Sequence, residues 1–253
     1  MIELSDIYFS YHDPAGETRP VLNGITLRID PGESLAIMGP NGSGKSTLIK
    51  CCNGLLLPDR GRVRVDGLDT AEEQNLAAIR RRIGMIFQNP DNQIVSTTVE
   101  REIAFGLENL GLPYDEMHAR VDEMLRYFEL EPYRLKSPHY LSGGEKQRLA
   151  LAAVLAMKPR YLILDEPTSL LDPLHRRQII ELIGLLHQQQ EMACLLVTQF
   201  PEEAWAAQRL VVLEGGRLFC EGPPAEIFSR VDELVAIGLE PPLPFYLDHL
   251  LQS

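Results

Sequence analysis

Two hydrophobic periods alternate along this chain. Ile25, Leu27 and Ile29 interleave with Thr26, Arg28 and Asp30 before a Pro31-Gly32 turn, which predicts a strand with one buried face. Val63 and Val65 alternate in the same way between Gly61 and Gly67. Leu35–Met38, Tyr161–Leu164 and Ala193–Val197 are instead short, unbroken apolar runs, the pattern of strands buried on both faces. Helical periodicity covers 71–82, 114–128, 145–157 and 174–190. Apolar strands alternating with amphipathic helices predict an α/β fold with a parallel sheet. Leu210–Leu213, a Glu214-Gly215-Gly216 turn and Leu218–Cys220 predict an antiparallel hairpin. The stretch from about 92 to 158 is mostly helical and separates two buried strands, so it predicts an inserted helical subdomain. After Gly222-Pro223-Pro224 begins a tail with its own helices, divided by Pro241-Pro242-Leu243-Pro244. The expected organisation is therefore a main domain over 1–222 and a C-terminal extension over 223–253.

Composition narrows the class. The chain has 253 residues, 45% hydrophobic and 24% charged, enough for a sizeable buried core. Its formal charge of −12 repels phosphate backbones, which argues against nucleic acid as a partner. No apolar run approaches the roughly 18–20 residues that span a bilayer. The opening Met-Ile-Glu-Leu-Ser-Asp lacks the regions of a signal peptide, so the chain is not expected to enter a membrane unaided. Cys51, Cys52, Cys194 and Cys220 show no zinc spacing and are expected to be reduced, buried thiols of a cytosolic protein. The six histidines are scattered, and surface or packing roles are expected for each.

Candidate chemistry begins at Gly39-Pro40-Asn41-Gly42-Ser43-Gly44-Lys45-Ser46-Thr47, a phosphate-loop pattern between a buried strand and a helix starting near Thr47. Glycines let such a loop present successive N–H groups to a polyphosphate at a helix N-terminus. Lys45 is expected to neutralise the β- and γ-phosphates of ATP, and the Ser46 hydroxyl to ligate Mg²⁺. Tyr161–Leu164 then ends in Asp165-Glu166, carboxylates at the C-terminal end of a buried strand, where α/β sheets bind ligands. Asp165 is expected to hold Mg²⁺ through water, and Glu166 to orient or deprotonate the attacking water.

Leu141-Ser142-Gly143-Gly144-Glu145-Lys146-Gln147-Arg148 is a Gly-opened helix start able to bind an anion without side-chain charge. This run resembles the signature of ATP-binding cassette (ABC) ATPases, and the resemblance extends over nearly the whole chain. It implies a P-loop NTPase with a RecA-like parallel core, an N-terminal antiparallel β subdomain, an inserted helical subdomain and a short C-terminal helical extension. It further implies that Gln88 links Mg²⁺ to a transport partner, that Ser169-Leu170-Leu171-Asp172 forms the D-loop, and that adenine stacks on Tyr11. Two ATP molecules are then held between two ATPase subunits, with Ser142, Gly143 and Gly144 of one facing the γ-phosphate on the other.

The run Phe87–Val95, with Thr98-Val99-Glu100 and Ala104-Phe105-Gly106, is similar to ATPases of energy-coupling factor (ECF) transporters, which take up cobalt, nickel or vitamins. Glu226-Ile227-Phe228 and the following Gly238-Leu239 and Pro241-Pro242 resemble that group's dimerising extension. This resemblance implies integral membrane coupling and substrate-binding subunits as partners, a peripheral place on the cytoplasmic membrane face, and contact between Asp91 and an arginine of the coupling subunit. A binding-protein-dependent importer, or an ABC protein acting outside transport, are the alternatives. One position departs from the family: Gln199 stands where it places a switch histidine. Glutamine can donate an amide hydrogen bond to a phosphate oxygen but carries no proton. The substitution fits either a slow ATPase or a subunit paired with a second, histidine-bearing one.

Overall fold

The computed structural model describes residues 1–13, 16–190 and 192–252. The chain forms two compact units, one from Met1–Arg80 with the segment from Ala193 onward, the other Arg81–Met192.

The first unit opens with β1 (Ile2–His12) and β2 (Thr18–Ile29), followed by β3 (Ser34–Met38), α1 (Lys45–Cys52), β4 (Arg60–Val65), β5 (Leu68–Asp69) and α2 (Glu73–Arg82), in which the unit boundary falls. One antiparallel sheet has the order β2-β1-β4-β5. Its alternation is the one read from the sequence: Ile25, Leu27, Ile29, Val63 and Val65 are buried while Arg28 and Arg64 are exposed. β1 carries an irregularity between Leu4 and Ile7, where Asp6 takes a left-handed φ of 53°, and this restores Ile7 to the buried face opposite Ile25.

The returning segment supplies β8 (Ala193–Val197), α7 (Pro201–Ala204), β9 (Arg209–Glu214), β10 (Arg217–Gly222) and the tail helices α8 (Pro224–Phe228), α9 (Val231–Ala236) and α10 (Leu243–Gln252). β3 runs parallel to β8 on one side and to β9 on the other, which is why Leu35–Met38 is apolar throughout. β9 and β10 form the predicted hairpin. Ala36 and Met38 of β3 share a core with Ala204 of α7, Leu210 and Val212 of β9, and Ile227, Phe228, Leu234 and Leu239 of the tail.

The second unit holds β6 (Ile83–Ile86), α3 (Val99–Asn109), α4 (Tyr114–Tyr127), α5 (Gly143–Ala156), β7 (Tyr161–Asp165) and α6 (Pro173–Gln190). β6 and β7 are parallel, with Ile83 opposite Tyr161 and Ile86 opposite Leu164. The helices read from periodicity begin within two residues of their expected starts, at Glu73, Tyr114, Gly143 and Pro173; α1 begins at Lys45 rather than Thr47, because the phosphate loop itself turns into the helix.

The four thiols are buried, and desolvation pushes those of Cys51 and Cys194 up to about 12 and that of Cys52 upward too. Phe228, 2% exposed, anchors the tail to β3 and α7. Phe228→Ala is expected to lower the unfolding free energy by about 3–5 kcal/mol, as for large aromatics removed from cores. A urea titration giving a loss under about 1 kcal/mol would separate the tail from this core.

Candidate active site

β3 delivers the chain to Gly39 with φ 154°, and Gly42 and Gly44 follow at 80° and 101°. A Cβ at Gly39 would lie 2.3 Å from the Leu213 carbonyl oxygen and 2.6 Å from Ser43 Oγ; one at Gly44 would lie 2.7 Å from Leu22 Cδ2. Side chains are excluded there by contact as well as by φ. α1 starts directly after Gly44 with no side-chain cap, leaving its first turn to present backbone donors. Lys45 is 6% exposed, and its ammonium donates to Gly39 O at 2.7 Å and Pro40 O at 3.1 Å. Among the described residues Ser43 Oγ is buried without a hydrogen-bond partner. A side-chain-free cradle, an orphaned hydroxyl and a buried ammonium fit a bound polyphosphate.

Tyr11 stands beside this loop. Its hydroxyl lies 3.3 Å from Thr47 Oγ1, and its ring meets Phe9 edge to face at 5.0 Å, leaving the ring half-exposed. Gln199 is exposed immediately after β8. The backbone around it is fixed: Thr198 N–H donates to Ile37 O at 3.1 Å, Phe200 N–H to Thr198 Oγ1 at 3.0 Å, and Thr198 Oγ1 donates to the buried Glu203 carboxylate at 2.5 Å. Gln199 lines a cleft of about 720 Å³ together with Gly39, Pro40 and Asn41. Gln199 and the start of the phosphate loop therefore border one cleft. The Thr198–Glu203 contact beside Gln199 was not foreseen; the signal was a Thr and a Glu spaced five apart around a Pro-started helix.

In the second unit Asp165 is buried at the end of β7, and Glu166 follows in a left-handed conformation with φ 46°. A non-glycine residue held there costs of order 1–3 kcal/mol, so surrounding structure must impose it. Ser169 Oγ donates to Glu166 O at 3.1 Å, closing the turn. Gln88, at the end of β6, reaches across the parallel pair: its amide donates to Glu166 Oε2 at 3.1 Å. Two residues 78 positions apart are thus brought together, and Glu166 is aimed by Gln88 rather than left to rotate. Such a carboxylate can accept a proton from a water.

Ser142 caps α5. Its Oγ accepts from Glu145 N–H at 3.3 Å while Glu145 Oε2 accepts from Ser142 N–H at 2.7 Å, a reciprocal capping box. The Tyr133 hydroxyl, then this backbone bond, hold the Glu145 carboxyl below its usual range. Ser142 and Gly143 are exposed, and the His175 ring approaches the fourth signature residue so closely that a Cβ on Gly144 would lie 3.1 Å from it. His175 Nδ1 is also 2.5 Å from Asp172 Oδ2. Its ring therefore packs at the start of α5 while its Nδ1 stays with Asp172. Asp91, expected to face a partner's arginine, pairs here with Lys146 of the signature helix at 2.7 Å.

Comparison with known proteins places this geometry. The family model described as ABC transporter matches residues 22–169. The chain belongs to the ABC transporter ATPase family. It is 46% identical over 253 residues to the energy-coupling factor transporter ATP-binding protein EcfA1 of Clostridium novyi (strain NT), covering 100% of this chain and 90% of that protein. It is also 46% identical over 253 residues to EcfA1 of Bacillus subtilis (strain 168), covering 100% of this chain and 89% of that protein. Among solved structures it is similar to CbiO1 from Clostridium perfringens, part of the ABC transporter complex CbiONQ, with a TM-score of 0.81, 33% identity and coverage of 100% and 98%. The dimeric cassette MJ0796 bound to ADP and Pi gives a TM-score of 0.81 at 31% identity over 88% of this chain and 99% of that one. The predicted fold and an ATP-binding, ATP-hydrolysing activity are those of this family.

Lys45→Ala removes the buried ammonium and should weaken ATP binding at least about tenfold, the worth of one charge-assisted bond. Unchanged affinity in calorimetric titration would sink the cradle assignment. Glu166→Gln should keep ATP affinity and reduce hydrolysis by about a hundredfold or more, since an amide accepts no proton. Comparable turnover of the two forms would remove Glu166 from the chemistry.

Proposed function

We propose that this chain is the ATP-hydrolysing subunit of an ECF-type importer. It powers uptake of a metal ion or vitamin through separate integral membrane subunits, from a peripheral place on the cytoplasmic face. The observation that carries this reading is similarity to EcfA1 proteins along the entire chain, tail included, rather than over the ATPase motifs alone. Among the described residues no helix is long and apolar enough to cross a membrane, consistent with a subunit that works through partners.

In this reading the phosphate loop, residues 39–47, binds the ATP phosphates, Lys45 balances their charge and Tyr11 carries the adenine. Ser46, Gln88 and Asp165 would hold Mg²⁺, which draws charge from the β- and γ-phosphates when bound. Glu166, held by Gln88, accepts the proton of the attacking water. Ser142, Gly143, Gly144 and Asp172 act on nucleotide carried by a second ATPase subunit, and the segment 223–253 helps the pair associate. Asp91 and Lys146 form a pair that a cationic side chain of the membrane partner must open.

Gln199 sets the rate. Its amide can hold the γ-phosphate but cannot move a proton, and a proton-transferring group is typically worth 10²–10⁴ in rate, about 3–5 kcal/mol. Gln199→His is expected to raise kcat with little change in KM, the mark of an effect confined to the transition state. Equal steady-state kcat values would remove the unequal-pair reading. Co-expression tests the transport assignment: the chain should enter the membrane fraction only with an integral partner. Spontaneous binding to protein-free liposomes would count against it.

A further inference from the structure

The 720 Å³ cleft that contains Gln199 has a second wall. Opposite Gly39-Pro40-Asn41 and Gln199–Glu202 it is lined by Val235, the 238–241 segment, Leu243 and Tyr246, all from the tail. The tail thus borders the same space as the phosphate loop. It is also fastened to the switch by aromatic packing. Gln199 is followed by Phe200 and the single turn of α7, whose end is Trp205, hydrogen-bonded through N–H to Pro201 O at 3.0 Å. The Trp205 ring lies 6.2 Å from Phe228 in α8 and 5.2 Å from Phe245 in α10, and those two rings are 6.0 Å apart. Phe228 in turn belongs to the core shared by Ala36 and Met38 of β3, the strand that ends at the phosphate loop. Close-packed interiors pass displacements along rather than absorbing them.

We propose that the tail controls ATP turnover by positioning Gln199 through a Trp205–Phe228–Phe245 clamp, with Trp205 as the positioning residue. The tail then reads and sets the state of the switch within one chain, apart from any part it plays in joining two chains. The inference rests on the assignment of Gln199 to the γ-phosphate, which Gln199→His tests separately.

Trp205 is the only tryptophan in the chain, so its emission reports on the clamp directly. ATP added to the full-length protein, at a concentration where light scattering reports monomer, is expected to change Trp205 emission. Gln199→Ala should abolish that change at saturating ATP. No change in the parent, a change seen only when dimer forms, or a full change in Gln199→Ala would each overturn the proposal. In steady-state kinetics Trp205→Ala and Phe245→Ala should lower kcat about tenfold, within the range a misplaced group costs, with KM for ATP held. Trp205→Phe should restore most of the loss by keeping a ring in the clamp. Tyr246→Ala, at a half-exposed position on the cleft wall, gives a variant that retains the core and should also lower kcat. Parental kcat in Trp205→Ala and Tyr246→Ala, or losses that vanish at protein concentrations restoring the dimer, would overturn the clamp and leave only an association role for the tail.

Discussion

A Cβ at Gly39 would stand 2.3 Å from the Leu213 carbonyl oxygen, so only glycine lets the chain leave β3 this close to β9, and the phosphate loop depends on that approach. For the loop to wrap a polyphosphate, its N–H groups must turn inward, and no side chain can occupy the inner surface. β3 must therefore arrive buried between β8 and β9, so that its last residue is held rigidly while the next three glycines turn. Lys45 closes the arrangement: its ammonium donates to the loop's own carbonyls, which keeps a buried charge hydrogen-bonded.

The second unit solves a different problem. A carboxylate at the end of a buried strand is free to rotate unless something fixes it, and Glu166 is fixed on a left-handed backbone closed by Ser169 and by a hydrogen bond from Gln88. Strain, hydrogen bond and strand pairing act on one side chain. Gln88 can reach it because β6 and β7 are parallel neighbours in register, so both residues emerge at the same sheet end. The signature helix is organised by the capping box at Ser142, with His175 tying its opening to Asp172.

Seen this way, the tail is part of the first unit's core rather than an appendage. Phe228, Leu234 and Leu239 complete a hydrophobic cluster that begins in β3, and Trp205 bridges from the switch helix to α8 and α10. The segment that carries Gln199 is thereby packed, through α7, against the C-terminal helices.

Much of this was readable from residue order alone. Strands buried on both faces announce themselves as unbroken apolar runs, amphipathic helices by their period, and the phosphate loop by glycines whose spacing has a steric cause. Local physics determines each of those. Left undetermined were contacts made between residues far apart in the chain: Gln88 with Glu166, Lys146 with Asp91, His175 against Gly144, and Trp205 with Phe245. His175 looked like one scattered histidine because nothing in its neighbours along the chain records the packing of α6 against the start of α5. Glu166 carries no mark of a left-handed backbone in its identity; the strand, Ser169 and Gln88 force it there. Sequence fixes what each segment is able to be, through period, charge and steric freedom. Which segments meet, and therefore which side chains hold one another, depends on the close packing of the folded chain.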